Sequence, residues 1–203
     1  MFMVRRKIKK KEQILRNMIK ASLIMFIALM LVLSTFLIIA DMTPNNPDAS
    51  YNGIRFNYNA NEGIFLFQMN NQQIRTHAHP IDAQVHRLSP ETTNLLRNSV
   101  RIGISESTNN ASEWEPLAAF TVAEALRRGN NVNIVRGYSD SEPFLDCSLA
   151  NQNYPIIELK RAEENNLVEL ENCIRIEYVD ESFLFVVKDS VIYHALGVII
   201  PTG

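Results

Sequence analysis

The residues suited to chemistry are few, and the first are histidines. His77-Ala78-His79 has the two-residue spacing that places both imidazoles on one face of a strand, as a transition-metal site would use. Asp82 is the nearby carboxylate that would supply a third ligand. The competing reading is two exposed histidines in a polar loop beside Pro80. A second candidate is Ser105-Glu106-Ser107, just past a strand-like run. Ligands in α/β folds collect at the C-terminal ends of strands, so Ser105, Glu106 and, further on, Asp146 are the candidate ligand-binding residues. No phosphate-cradling loop accompanies them, because Gly103 stands alone. Gly-x-Ser-x-Gly, His-Glu-x-x-His and Cys-x-x-Cys are all missing from the chain. Asn110-Ala111-Ser112 is an N-glycosylation acceptor sequence. No catalytic set assembles, and no cofactor is expected.

Cys147 and Cys173 are the only two cysteines. An even count in a segment expected outside the cell favours a disulfide. The alternative is two buried thiols acting as small apolar side chains. A redox role is disfavoured, since neither cysteine has a second thiol close in sequence or an evident basic neighbourhood.

Alternation and turn residues set the elements that carry these groups. Strands are expected at residues 53–58, 64–69 and 73–77, separated by Asn/Gly turns, which reads as an antiparallel meander. Ser89 caps a short helix with Pro90 at its first position, ending near Asn98. A strand over 100–105 follows. Ser112 and Glu115 have capping-box spacing for a helix running to Arg128 and stopping at Gly129. Residues 131–135, 155–159 and 167–178 read as further strands, with a turn or bulge at Asn172-Cys173. Asp180 caps a last helix to Leu196, apolar except around Lys188 and Asp189. The expected fold is α/β, a mixed sheet with helices packed on it, following one N-terminal transmembrane helix.

That helix is read from residues 21–40, an uncharged run whose only polar side chains are Ser22, Ser34 and Thr35. Its length matches a bilayer's hydrocarbon thickness, and a cleaved signal peptide would have a shorter apolar region. Residues 1–20 carry eight Lys/Arg against Glu12, a local charge of +7. Residues 41–203 hold 12 Lys/Arg against 21 Asp/Glu, or -9, and the two sum to the net -2. Positive charge stays inside. The layout is therefore a basic cytoplasmic tail (1–20), an anchor (21–40), a linker (41–50) and an extracytoplasmic α/β domain (51–203), in a single-pass protein of the cell membrane. The lipid bilayer is one expected partner and an envelope protein another; nucleic acid is not expected.

Tyr51-Asn52-Gly53-Ile54, Asp146-Cys147, residues 155–159, Glu171-Asn172-Cys173-Ile174 and Leu196-Gly197-Val198-Ile199 resemble a family of small single-anchor membrane proteins from archaea with reduced genomes. The resemblance implies no catalytic residues and adds weight to pairing the cysteines. The expected function is a non-enzymatic binding or membrane-complex accessory module. The alternative is an anchored enzyme or ligand-binding domain with its site near residues 105–110.

Overall fold

A computed structural model of the chain describes Ser22, Met25, Phe26 and Met30, and residues 50–107 and 112–200. The chain divides into two compact units, Met1–Asn46 and Pro47–Gly203. In the first unit the four described residues are helical and exposed. The rest of the expected spanning segment, 21–40, lies outside the described residues. Among the described residues no helix is long and apolar enough to cross a membrane, which corrects the expectation of a fold that begins with a transmembrane helix. The two longest helices described have 16 residues each, roughly 24 Å at 1.5 Å per residue. Both carry charged side chains.

The second unit opens with β1 (Ser50–Tyr51), β2 (Ile54–Asn59), β3 (Ile64–Met69) and β4 (Gln72–Thr76), an antiparallel sheet in sequence order. Asn70 and Asn71 both have positive φ, 50° and 61°. This is the backbone of a two-residue hairpin turn, which sets the register Met69↔Gln72. One turn of helix, α1 (Pro80–Ala83), and the helix α2 (Pro90–Asn98) follow. As expected, Ser89 caps α2 by accepting from the Thr92 N–H, with Pro at the first helical position.

A second sheet is built from β5 (Arg101–Glu106), β6 (Asn133–Tyr138), β7 (Ile156–Arg161), β8 (Asn166–Leu170) and β9 (Cys173–Tyr178), in the order β6-β5-β7-β9-β8. β8 alone is antiparallel to its neighbour. The expected single mixed sheet is thus corrected to two, since the meander pairs only with itself. Two helices lie between the sheets: α3 (Glu115–Asn130) and α4 (Glu181–Leu196). α3 touches β4 on one side and β5 and β6 on the other, while α4 packs on β9, α2 and α3. One core joins all three layers, from Phe56, Phe67 and Ile74 through Val122, Leu126, Val191 and Tyr193 to Ile102, Ile157 and Ile176. α4 is buried nearly all round, which explains its lack of a polar stripe.

Two helix signals misread the ends of α3. Its N-cap is Trp114, without a side-chain cap bond. The Glu115 carboxylate accepts instead from the Ser107 N–H and the Tyr178 hydroxyl, and the Ser112 hydroxyl lies 3.3 Å from that same Tyr178 oxygen. At the other end Asn131, not Gly129, takes the left-handed cap conformation at φ 56°. Gly129 serves packing, because a Cβ there would lie 2.3 Å from Leu196 Cδ2.

Candidate functional site

The three candidate ligand-binding residues near the C-terminal ends of the parallel strands are turned in different directions. Ser105 and Glu106 are both buried, but adjacent strand residues face opposite sides of a sheet. Ser105 points to the outer face and donates its hydroxyl to the Leu145 carbonyl. Glu106 points to the helix face and pairs with Arg136. Asp146 is drawn into local structure, accepting from the Ser148 N–H at 2.9 Å to cap a short turn, Cys147–Leu149. These three side chains do not converge. Nearby, Glu115 and Tyr178 share a bond of 2.6 Å. Burial raises the Glu115 carboxyl above its ordinary range despite the two donors it accepts from. Burial, with the carboxylate beside it, pushes the Tyr178 phenol up to about 12. Asn110 falls among residues 108–111, outside the described residues.

The outer face of the second sheet is sealed by the connection from β6 to β7. Cys147 and Cys173 form a disulfide with Cα atoms 5.5 Å apart, as the even count suggested. Leu145, Ile156 and Cys173 make a small second core beneath this connection. Glu158 is buried there, bonded to Arg175 Nε at 2.7 Å, and its carboxylate lies 2.9 Å from Cys147 Sγ. Cys147, Glu158 and Cys173 have metal-ligating spacing, but the disulfide leaves neither sulfur as a thiolate. In this state they hold the loop to the sheet.

The two histidines expected to share a strand face part company. β4 ends at Thr76, because the next backbone groups are taken elsewhere. Asp189 of α4 accepts the N–H groups of His77 (2.6 Å) and Ala78 (2.7 Å), and Pro80 then starts α1. The His77 ring lies on Phe185, centroids 4.5 Å apart, with its Nδ1 3.2 Å from Lys188 Nζ. His79 sits edge-on between Phe56 and Phe65, its Nδ1 accepting from the Ile81 N–H. Among the described residues its buried Nε2 has no hydrogen-bond partner, and both aromatic neighbours are suited to face a ring N–H.

Behind His77 lies the most unusual chemistry in the domain. Lys188 and Asp189 are both 0% exposed and paired with each other. The Tyr193 hydroxyl donates to the Ala78 carbonyl at 2.6 Å and stands 2.6 Å from Thr76 Oγ1. Burial lowers the Lys188 ammonium from its ordinary value, and Asp189 opposes that shift. Burial first, and then Lys188, lower His77, so its imidazole is neutral at pH 7. Sequence reasoning noted the charged pair only as an interruption in an apolar helix. An adjacent Lys-Asp inside so apolar a segment is the signal that marked it.

His77 closes one end of a groove of about 420 Å³ between β4 and α3. Gln73, Ile74 and Arg75 form one wall, and Leu117, Phe120, Thr121, Glu124 and Arg128 form the other. Leu117 and Phe120 are 40% and 53% exposed. β4 is also the edge of its sheet. The two-residue turn makes Met69↔Gln72 a bonded pair, so Gln72, Ile74 and Thr76 bond to β3 and the odd-numbered residues turn their backbone outward. Two contacts agree with this: Arg128 donates to the Gln73 carbonyl at 3.3 Å, and the His77 N–H points away to Asp189. Arg75 therefore presents both its N–H and its C=O to the groove. No family model, no curated protein and no solved structure matches this chain.

Proposed function

We propose that residues 47–203 form an extracytoplasmic binding module at the cell membrane, and that an extended segment of an envelope protein docks in the groove by adding a strand to β4. The outward N–H and C=O of Arg75, beside the exposed apolar wall of Leu117 and Phe120, carry this reading. Edge backbone supplies affinity in strand addition, and side-chain pockets supply selectivity. The placement outside the cytoplasm is supported by the disulfide and by the basic-to-acidic division of the chain. The groove's charges are paired internally, Arg75 with Glu62 at 3.9 Å and Arg128 with Glu124 at 2.6 Å. It therefore favours a segment without strong charge.

Arg75→Pro is the direct test. Proline at an outward-facing edge position removes one N–H without breaking the ladder to β3. With a photo-crosslinking residue at Phe120 in living cells, the native sequence should give a discrete adduct. The same probe at Val85, exposed and away from the groove, should not. Arg75→Pro should abolish the adduct while leaving the thermal midpoint within a few degrees. An undiminished adduct in a folded Arg75→Pro variant would refute strand addition.

A further inference from the structure

We infer that His77 is the hydrogen-bond donor that selects what the groove accepts, its Nε2–H taking a backbone carbonyl of the docked strand. The inference rests on the groove reading above and adds to it the identity and polarity of one recognition group.

It follows from the donor and acceptor inventory around the ring. An ammonium has three donors and no acceptor. Asp189 gives Oδ1 to Lys188 and Oδ2 to two backbone N–H groups, so Lys188 Nζ is held by a carboxylate and keeps its proton. The second polar contact of that ammonium is His77 Nδ1 at 3.2 Å. Nδ1 must then accept, and a neutral imidazole that accepts at Nδ1 carries its proton at Nε2. The ring packs on Phe185 with its plane tilted by 31°, and its residue lines the groove. The donor is thus fixed by groups that the groove does not expose. Lys188 and Asp189 are wholly buried and act on the ligand only through the imidazole.

Position narrows the ligand further. Arg75 offers one outward donor and acceptor, and His77 is two residues on, where the next outward pair of a continuing strand would stand. The His77 backbone N–H is spent on Asp189, so the ladder loses a donor at that point. The side-chain Nε2–H replaces it, offered to the carbonyl of an incoming strand that has run past Arg75. A carbonyl in an extended peptide is the acceptor this arrangement fits. A donor group there, such as a protonated amine, would meet another N–H.

The test uses isotope-labelled full-length chain and a soluble capped strand-forming peptide, acetyl-(Thr-Val)₃-amide. Long-range ¹⁵N correlation spectra at pH 7.5 should show His77 as the Nε2–H tautomer. Peptide addition should move the amide signals of Gln73 and Arg75 and the His77 imidazole together. His77→Gln, which keeps an amide N–H near the Nε2 position, should bind the peptide within about twofold of the native chain. His77→Asn, which keeps a partner for Lys188 but lacks the distal donor, should bind roughly five- to tenfold more weakly, the worth of one hydrogen bond. An unmoved Gln73 and Arg75 would defeat the groove reading itself. If those signals move but His77 is the Nδ1–H tautomer, or His77→Asn binds normally, the groove reading stands and the assignment to His77 is overturned.

Discussion

Replacing Cys147 and Cys173 together by alanine removes the only cross-link of the domain, and its cost can be worked from the fold. The two residues are 26 apart in sequence. In the chain-entropy account, a closed loop of that length restricts the unfolded chain by about 3.5 kcal/mol at 25 °C. Typical domains have about 5–15 kcal/mol in all. The cysteines also hold the cover of the small outer core, where Cys173 packs with Leu145 and Ile156. Burial lost at that site adds to the entropic cost. Urea titration of the native chain and the Cys147→Ala/Cys173→Ala variant, followed by far-UV circular dichroism, measures the difference. With a slope of about 2 kcal/mol per molar, the midpoint should fall by roughly 1.5–2 M. Native chain reduced and alkylated should fall with the variant. A midpoint change below about 0.5 M in both would refute the reasoning. It would mean either that the unfolded chain keeps these residues together without the bond, or that the β6–β7 connection contributes nothing to the core.

His194 is buried, accepts the Leu88 N–H at Nε2, and is held down to about 4 by burial first and then by Arg97. Unfolded histidine takes a proton near 6.5, so between about 6.5 and 4 the unfolded chain binds a proton that the folded one does not. Stability should be complete above that window and fall by about 3 kcal/mol as pH drops through it, and His194→Gln should flatten this slope in denaturation series from pH 7 to 4. Gly137→Ala would put a Cβ 2.6 Å from both Leu145 Cβ and the Pro143 carbonyl oxygen; the cost should be about 1–3 kcal/mol, seen as a lower thermal midpoint. Lys188→Met leaves Asp189 buried without its cation and should cost about 3–5 kcal/mol. Asp189→Asn should cost a similar amount, and the double variant less than the sum, as read from denaturant midpoints.

Local signals in the sequence located the elements well wherever the partner groups were themselves local. Ser89 and Asp180 cap the helices that follow them, each bond closing within three residues. The Asn70-Asn71 turn fixes the β3–β4 register by its own backbone. Failures came where a distant group outbid a near one. Ser112 and Glu115 have the spacing of a capping box, yet Tyr178, more than sixty residues on, takes the carboxylate. Gly129 looks like a helix stop, but its missing side chain makes room for Leu196. His77 and His79 alternate correctly for a strand that continues. The strand instead ends at Thr76, before both of them, because Asp189, 112 residues after His77, takes the next backbone N–H groups, and His77's imidazole goes to Lys188. Alternation also shows that strands exist without showing which of them pair, so one expected sheet is two. The disulfide was readable because two cysteines allow only one pairing within the chain.

The Lys188–Asp189 pair shows why the candidate site was harder to read than the fold. A buried ion pair adds little net stability, because desolvation offsets the attraction, and apolar side chains of similar volume often serve as well. α4 would therefore bury as readily with two more aliphatic residues there. What those residues could not do is accept the N–H groups of His77 and Ala78 and hold the imidazole at the groove's end. The pair acts where β4 stops being a strand. It ends the ladder on the β3 side by drawing the chain toward α4, and it leaves the outward N–H and C=O of Arg75 at the sheet edge, two residues before an imidazole held by Lys188. In sequence, those functions are spread over residues 73–77, 117–128 and 188–189. No single stretch carries a motif. Their shared meaning appears only once α3 and α4 pack side by side beneath the meander and bring the three stretches to one groove.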